Sequence, residues 1–238
     1  MSRAMERGWG DPDPGCAAAA LRPSRGALTT DFLHSSLSPE AYVKTLDLAS
    51  FSGFNLVLVD LPSSQLWYCN NAAAGNNTVV QQLRPSVVYG LSNGCLNEWP
   101  KVVSGVELVS SILQHAAARS RQSGSADEED TGVTERMWQD ICLGVMGDCE
   151  KVVGEGQGGD LPTSLTAADF PKHQRYICSS RFIEPVPSPW GMYGTRSQML
   201  LTVASTGQCK LRERYLEGGE WREVEHCFQQ QQQQQQQQ

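Results

Sequence analysis

The run Ser52–Leu61 (SGFNLVLVDL) restricts the fold more than any other stretch of the chain. It is nearly continuous in apolar residues, too short for a typical buried helix, and bounded by Gly53 and Pro62. That pattern predicts an interior strand covered on both faces. A chain holding such a strand must build a sheet and then layers to bury it. Pro62-Ser63-Ser64 predicts a turn into a second strand, Gln65–Asn70, and Asn70–Asn77 reads as a polar loop. A third strand is expected over Ser86–Leu91, entered through Leu83-Arg84-Pro85. Gly90 within it suggests a bulge or a close backbone approach. Ser92-Asn93-Gly94 then stops it with turn chemistry, since Asn tolerates left-handed dihedrals and Gly adopts them without steric cost.

Two helices precede this sheet. Ser24–Ser35 carries an N-cap serine and places Leu28, Phe32 and Leu33 on one face. Ser38-Pro39-Glu40 starts a second helix, with Tyr42, Val43, Leu46 and Ala49 as its apolar stripe. After the sheet, Trp99-Pro100 opens a helix over Lys101–Ala118 with Val102, Val106, Val109, Ile112, Leu113 and Ala116 at helical spacing. Its Gly105 costs up to about 1 kcal/mol against alanine unless something packs closely there. A further helix fits Thr134–Gly147, with Met137, Ile141 and Val145 on one face and Trp138 and Cys142 beside them. Tyr176–Ile183 alternates like a strand, and Pro185, Pro187 and Pro189 hold an extended connection to Trp190–Arg196. Ser197–Ser205, Gln208–Leu216 and Glu220–Phe228 then form an antiparallel meander with tight turns. Helices segregated from antiparallel strands make an α+β layered fold.

The edges of the chain read differently. Residues 1–23 are too heavily punctuated by Gly and Pro for regular structure and are expected to be disordered. Residues 24–228 are expected to form one domain, interrupted by a polar insertion at about 119–134 with an acidic run at Asp127–Asp130. Residues 229–238 are a polyglutamine tail with nothing to bury.

A formal charge of −7 and a pI near 5.1 argue against a nucleic-acid partner, which needs a positive field. No run approaches the roughly 18 apolar residues of a transmembrane segment, and Cys16–Leu21 is too short for a secretory leader. The eight cysteines form no CxxC pair and no Cys/His array, so neither a structural zinc site nor any other metal site is expected, and the thiols read as free. The Gly154–Gly159 stretch (GEGQGG) lacks the preceding strand, the following helix and the Lys-Ser/Thr of a phosphate-binding loop.

Three segments stand in one register: GFNLVLVDL at 53–61, YGLSNGCLNEWPK at 89–101, and YGTRSQMLLTV at 193–203 with RERY at 212–215, and the RGALTTDFL helix at 25–33 falls within the same pattern. Together they resemble the transport and Golgi organisation protein 2 family, also called the NRDE family. The resemblance implies an N-terminal-nucleophile-hydrolase-like layered sandwich, incomplete here, of antiparallel sheets covered by helices. In related amidases of that class an N-terminal Cys attacks an amide, an Asn helps form the oxyanion hole, and an Arg orders the nucleophile. By position Asn93 matches that Asn and Arg196 that Arg, so the two are vestigial catalytic candidates. Asn55, Asn93, Trp99, Tyr193 and Arg196 are the ligand-binding candidates.

The family's Met-Cys start, first strand and Asn-Arg-Asp-Glu motif do not occur in this sequence, and Cys16 is internal among alanines. A shortened family member without a nucleophile of its own is therefore expected. Its function is expected to be non-enzymatic: Golgi organisation and protein secretion, with haem mobilisation and lipid homeostasis as the finer family roles. The alternative is a degenerate amide hydrolase. No cofactor is expected, and haem enters only as a transported ligand. His34, His115, His173 and His226 are too scattered to be assigned to it. The resemblance implies protein partners of the secretory pathway and a cytoplasmic, Golgi-associated location.

Overall fold

Ser24 and Ser38 start the first two helices by capping them. The Ser24 hydroxyl accepts the Gly26 amide at 3.2 Å, and the Ser38 hydroxyl accepts the Ala41 amide at 3.2 Å. The computed structural model describes residues 22–71, 78–123, 135–152 and 164–229. The chain divides into two units, Met1–Glu98 and Trp99–Gln238. The expected disorder of residues 1–21 and 230–238 lies outside the described residues, as do 124–134 within the predicted insertion and the Gly154–Gly159 stretch.

In the first unit, α1 spans Arg25–His34 and α2 spans Pro39–Thr45, and a 3-10 turn follows at Leu48–Ser50. The helical stripe predicted to reach Ala49 therefore ends at Thr45, where Leu46 turns to extended backbone. The Tyr42 hydroxyl donates to the Leu28 carbonyl at 2.9 Å and ties the helices together. Leu28, Tyr42, Val43, Phe54, Leu56, Leu58 and Cys69 form the core. Leu33, predicted on the apolar face, is 78% exposed.

Three antiparallel strands, β1 (Asn55–Asp60), β2 (Gln65–Asn70) and β3 (Val79–Leu83), lie in the order β1-β2-β3. Leu56 pairs with Cys69 and Leu58 with Trp67 across the helix-facing side. Val57 and Val59 take the opposite face, where they are 43% and 45% exposed. β1 is thus an edge strand with one open face, not the doubly covered interior strand that its composition predicts.

The third strand is also displaced: it is Val79–Leu83, and Ser86–Leu91 forms no strand. The polar groups of that segment are spent elsewhere. Ser86 sits at a φ of 60°, the Tyr89 hydroxyl accepts the Arg84 amide at 2.9 Å, and Gly90 bonds to Asn97 through both of its backbone groups.

The second unit opens with α3, Pro100–Ser123, whose first residue is the predicted proline. It runs through 119–123, where a disordered insertion is predicted; Arg and Gln are good helix formers. A Cβ on Gly105 would meet the Arg181 side chain at 3.3 Å, the close packing that its position calls for. Residues 135–137 lead into a π-helix, Trp138–Val145, closed by an i→i−5 bond from the Met146 amide to the Ile141 carbonyl at 2.8 Å. Its buried residues are Trp138, Cys142 and Val145, while Met137 and Ile141, predicted on the same face as Val145, are half-buried.

The strand predicted over Tyr176–Ile183 is absent. Instead α4 spans Phe170–Ile177, and its two buried residues, Phe170 and Ile177, stand two helical turns apart on one face. The proline-rich connection contains a short hairpin, β4 (Val186–Ser188) with β5 (Gly191–Tyr193). Pro187 is tolerated because a two-stranded ribbon leaves free edges.

The predicted meander is present as β6 (Ser197–Val203), β7 (Gln208–Glu217) and β8 (Glu220–Gln229), in that order. Gly218 and Gly219, at φ 62° and 88°, make the two-residue turn between β7 and β8. One sheet face meets the π-helix: the Gln198 amide donates to the Cys142 carbonyl at 2.7 Å, and the Arg212 guanidinium lies 4.6 Å over the Trp138 ring. Arg214 stacks between Trp221 at 4.7 Å and Phe182 at 5.8 Å. Both arginines of the RERY segment therefore have structural work. Helices with antiparallel sheets make the fold α+β, as expected.

Candidate functional site

The Asn93 turn is held by its shoulders. The Gly90 amide donates to Asn97 Oδ1 at 2.8 Å while the Asn97 amide donates to the Gly90 carbonyl at 2.9 Å. The Cys95 amide donates to Glu98 Oε2 at 2.6 Å. Asn97, at φ 55°, is the left-handed asparagine here, whereas Asn93 and Gly94 are not among the positive-φ residues. The left-handed asparagine thus stands four residues later than the sequence suggests.

Asn55 fixes this turn to the sheet. Its Nδ2 donates to the Ser92 carbonyl at 3.4 Å, and its Oδ1 accepts from the Tyr68 hydroxyl at 2.7 Å and from Asn70 Nδ2. Tyr68 and Asn70 are both buried. Burial pushes the Tyr68 phenol up to about 12, helped by the neighbouring Cys95 thiol, so it stays a neutral donor. Of the candidates in this unit, the Asn55 carboxamide is committed to protein partners. The exposed Asn93 carboxamide makes no hydrogen bond among the described residues.

In the second unit, Tyr193 and Arg196 come together in a shallow pocket of about 180 Å³, walled by Pro185, Met192, Gly194 and Leu216. The pocket's shape is set by backbone: Thr195 bonds Ile183 through its amide at 2.8 Å and through its hydroxyl at 2.9 Å. A Cβ on Gly194 would lie 3.0 Å from the Ile183 carbonyl and from the Pro185 Cα. The Tyr193 ring packs edge-on to Phe170 at 5.1 Å, and its hydroxyl accepts from the Cys178 thiol at 3.8 Å. Burial, then the Cys178 thiol, pushes that phenol up to about 12.

Arg196 is exposed, and its guanidinium has no ion-pair partner among the described residues. A cross-strand ion pair is therefore not what holds it. Trp99 lies under the Lys101 ammonium, 5.5 Å from ring centroid to Nζ. Asn93 belongs to the first unit, and Trp99, Tyr193 and Arg196 to the second.

Sequence reasoning misses two groups. Tyr68 and Asn70 carry the Asn55 network, and the signal for them is the polar end of β2 directly opposite Asn55 in the register. Lys101 and Lys151 cap the end of α4: Lys101 Nζ donates to the Cys178 carbonyl at 2.7 Å, and Lys151 Nζ to the Ile177 carbonyl at 2.9 Å. Burial lowers the pKa of both lysines. Nothing local in the sequence announces this cap, because its partners are far apart along the chain.

Among the described residues no group of three or more His, Cys, Asp and Glu could hold a metal ion. His34, His115, His173 and His226 lie on α1, α3, α4 and β8, and no haem-binding set is assigned from them. Among the described residues no helix is long and apolar enough to cross a membrane.

No curated protein matches the chain. The family model described as Transport and Golgi organisation 2 matches residues 11–218, a stretch that takes in both the Asn93 turn and the Tyr193–Arg196 pocket. A match over so much of the sequence places this chain in the Transport and Golgi organisation 2 family, and at the level of the family its role is in trafficking and the organisation of the Golgi.

Proposed function

We propose that the chain works as a non-enzymatic trafficking factor of the secretory pathway, recognising ligands or partners at the Asn93 turn and at the Arg196 pocket, each within its own unit, without turning them over. The observation that carries this reading is that burial drives four of the thiols away from the thiolate form. Burial pushes Cys69 up to about 11, and burial is also the first cause that raises Cys95, Cys142 and Cys149. A cysteine nucleophile needs the opposite shift, toward thiolate at neutral pH. The free Asn93 carboxamide and the free Arg196 guanidinium support recognition of polar or anionic groups. Tyr193 lines the Arg196 pocket, Asn55 positions the Asn93 turn, and Trp99 offers an aromatic surface. Haem and lipids are the cargo classes that the family suggests, and protein partners in the cytoplasm at the Golgi are the expected setting.

The test is rescue of a secreted reporter in cells depleted of their own family member. The chain is expected to restore secretion, and the double variant Asn93→Ala/Arg196→Ala to fail at equal protein level. Full rescue by the double variant would remove these side chains from the function. Turnover of an amide substrate by the purified chain, lost in Asn93→Ala, would favour the degenerate hydrolase instead. For haem, a titration followed in the Soret band decides: without a saturable shift, haem is not the cargo.

A further inference from the structure

We propose that Asn93-Gly94 is a self-modifying site, at which the Asn93 carboxamide is converted through a succinimide to isoaspartate and aspartate. Asn93 is the only asparagine in the sequence that glycine follows. With no side chain at Gly94, nothing branches beside the attacking nitrogen. The fold leaves both reacting groups unengaged, because neither the Asn93 carboxamide nor the Gly94 N–H makes a hydrogen bond among the described residues. Both lie in the bend 92–95, and the Asn93 side chain is exposed to water.

The other described asparagines are held. Asn55 has three protein partners, and Asn70 is buried. Asn71 accepts from the Phe54 amide and donates to the Leu48 carbonyl, both at 2.8 Å, and Asn97 is locked onto Gly90. Each of these is followed by a residue with a side chain. The clamps at Gly90–Asn97, Cys95–Glu98 and Asn55–Ser92 pin the shoulders of the turn and leave its apex free.

The step balances without any cofactor. The Gly94 nitrogen loses its proton to solvent base and bonds to Asn93 Cγ. The Cγ–Nδ2 bond breaks, and ammonia leaves with a proton from water. Water then adds to one of the two imide carbonyls. Opening on one side gives aspartate, and on the other gives isoaspartate, with the main chain rerouted through the β-carbon. The net change is amide plus water to carboxylate plus ammonium. On the reading proposed above, this replaces a neutral donor by a negative charge at a recognition residue, so conversion would switch that contact off.

The purified full chain, incubated folded in mildly alkaline buffer, is followed by peptide mapping with fragmentation that separates isoaspartate from aspartate. Both products are expected at position 93 ahead of any other described asparagine. Conversion is expected to be lost in Asn93→Gln and slowed several-fold in Gly94→Ala. An intact Asn93 while Asn97 or Asn55 converts would overturn the proposal, as would a rate unchanged by Gly94→Ala. The readout is mass alone and needs no ligand. Failure here is thus separate from failure of the recognition reading, which the secretion rescue with Asn93→Asp tests.

Discussion

At Cys69 a single enclosed thiol couples folding of the first unit to pH. Burial raises it from 9.0 to about 11, so the unfolded chain loses this proton first. Its contribution is complete below pH 9 and is lost as pH rises through about 11. A loss on the order of 2 kcal/mol is expected across that window. Urea unfolding at a series of pH values, read from the first unit's aromatic signal, should show the slope, and Cys69→Ala should reduce it, leaving the share of the Tyr68, Tyr42 and Cys95 groups that burial also raises. Lys101 and Lys151, lowered by burial, act with the opposite sign in the second unit, where their own contribution rises as pH approaches 10.5 while the raised Cys142 and Cys149 thiols oppose it. At Gly194 space decides. Gly194→Ala drives a Cβ against two backbone atoms and is expected to cost about 1–3 kcal/mol, measurable as a lowered Tm. Single residues were legible where chemistry is local, as with the caps at Ser24 and Ser38. They were not legible where a distant partner chooses: Asn97 rather than Asn93 took the left-handed position because Gly90 bonds to it.

Elements follow the same division. The β6–β8 meander was readable because Gly-Gly and Thr-Gly turns interrupt alternating strands. α4 was not legible because Phe170 and Ile177, its two anchors, stand at the ends of an otherwise polar stretch, and the alternation over Tyr176–Ile183 overlaps only its last two residues. β3 escaped notice since Val79-Val80 follows a polar loop, whereas Val87-Val88 offered an equally good pattern but found no neighbouring strand. Between elements, Gln198 is the clearest joint. It is buried, bonds Cys142 on the π-helix, and accepts from Arg214 at 2.5 Å. Gln198→Ala leaves a buried carbonyl and a guanidinium short of a partner, and is expected to cost about 1–3 kcal/mol in chemical denaturation. Tyr42→Phe, which removes only the bond to the Leu28 carbonyl between α1 and α2, should cost about 1 kcal/mol by the same measurement.

For the molecule as a whole, each sheet keeps an apolar face toward solvent. In the second unit Met199 and Leu201 are 57% and 55% exposed on the face away from the π-helix. Leu201→Lys is expected to lower binding of a hydrophobic dye while changing stability by no more than about 0.5 kcal/mol. Unchanged dye binding would mean that this face is not the exposed one. The α+β class was legible from element order, whereas the division into two units was not, because composition hardly changes between Glu98 and Trp99. One feature of the fold also bears on which length changes the chain can tolerate. The wide coil at Trp138–Val145 spends an extra residue on each circuit of its backbone. Deleting one residue there would let it rewind toward an ordinary helix, absorbing the loss locally instead of swinging all that follows by about 100°, as happens when an ordinary helix loses a residue. Asp148 would then keep Arg181 and Lys151 the carbonyl it caps, so the stretch should accept the loss of one residue more readily than the ordinary helix α3 would.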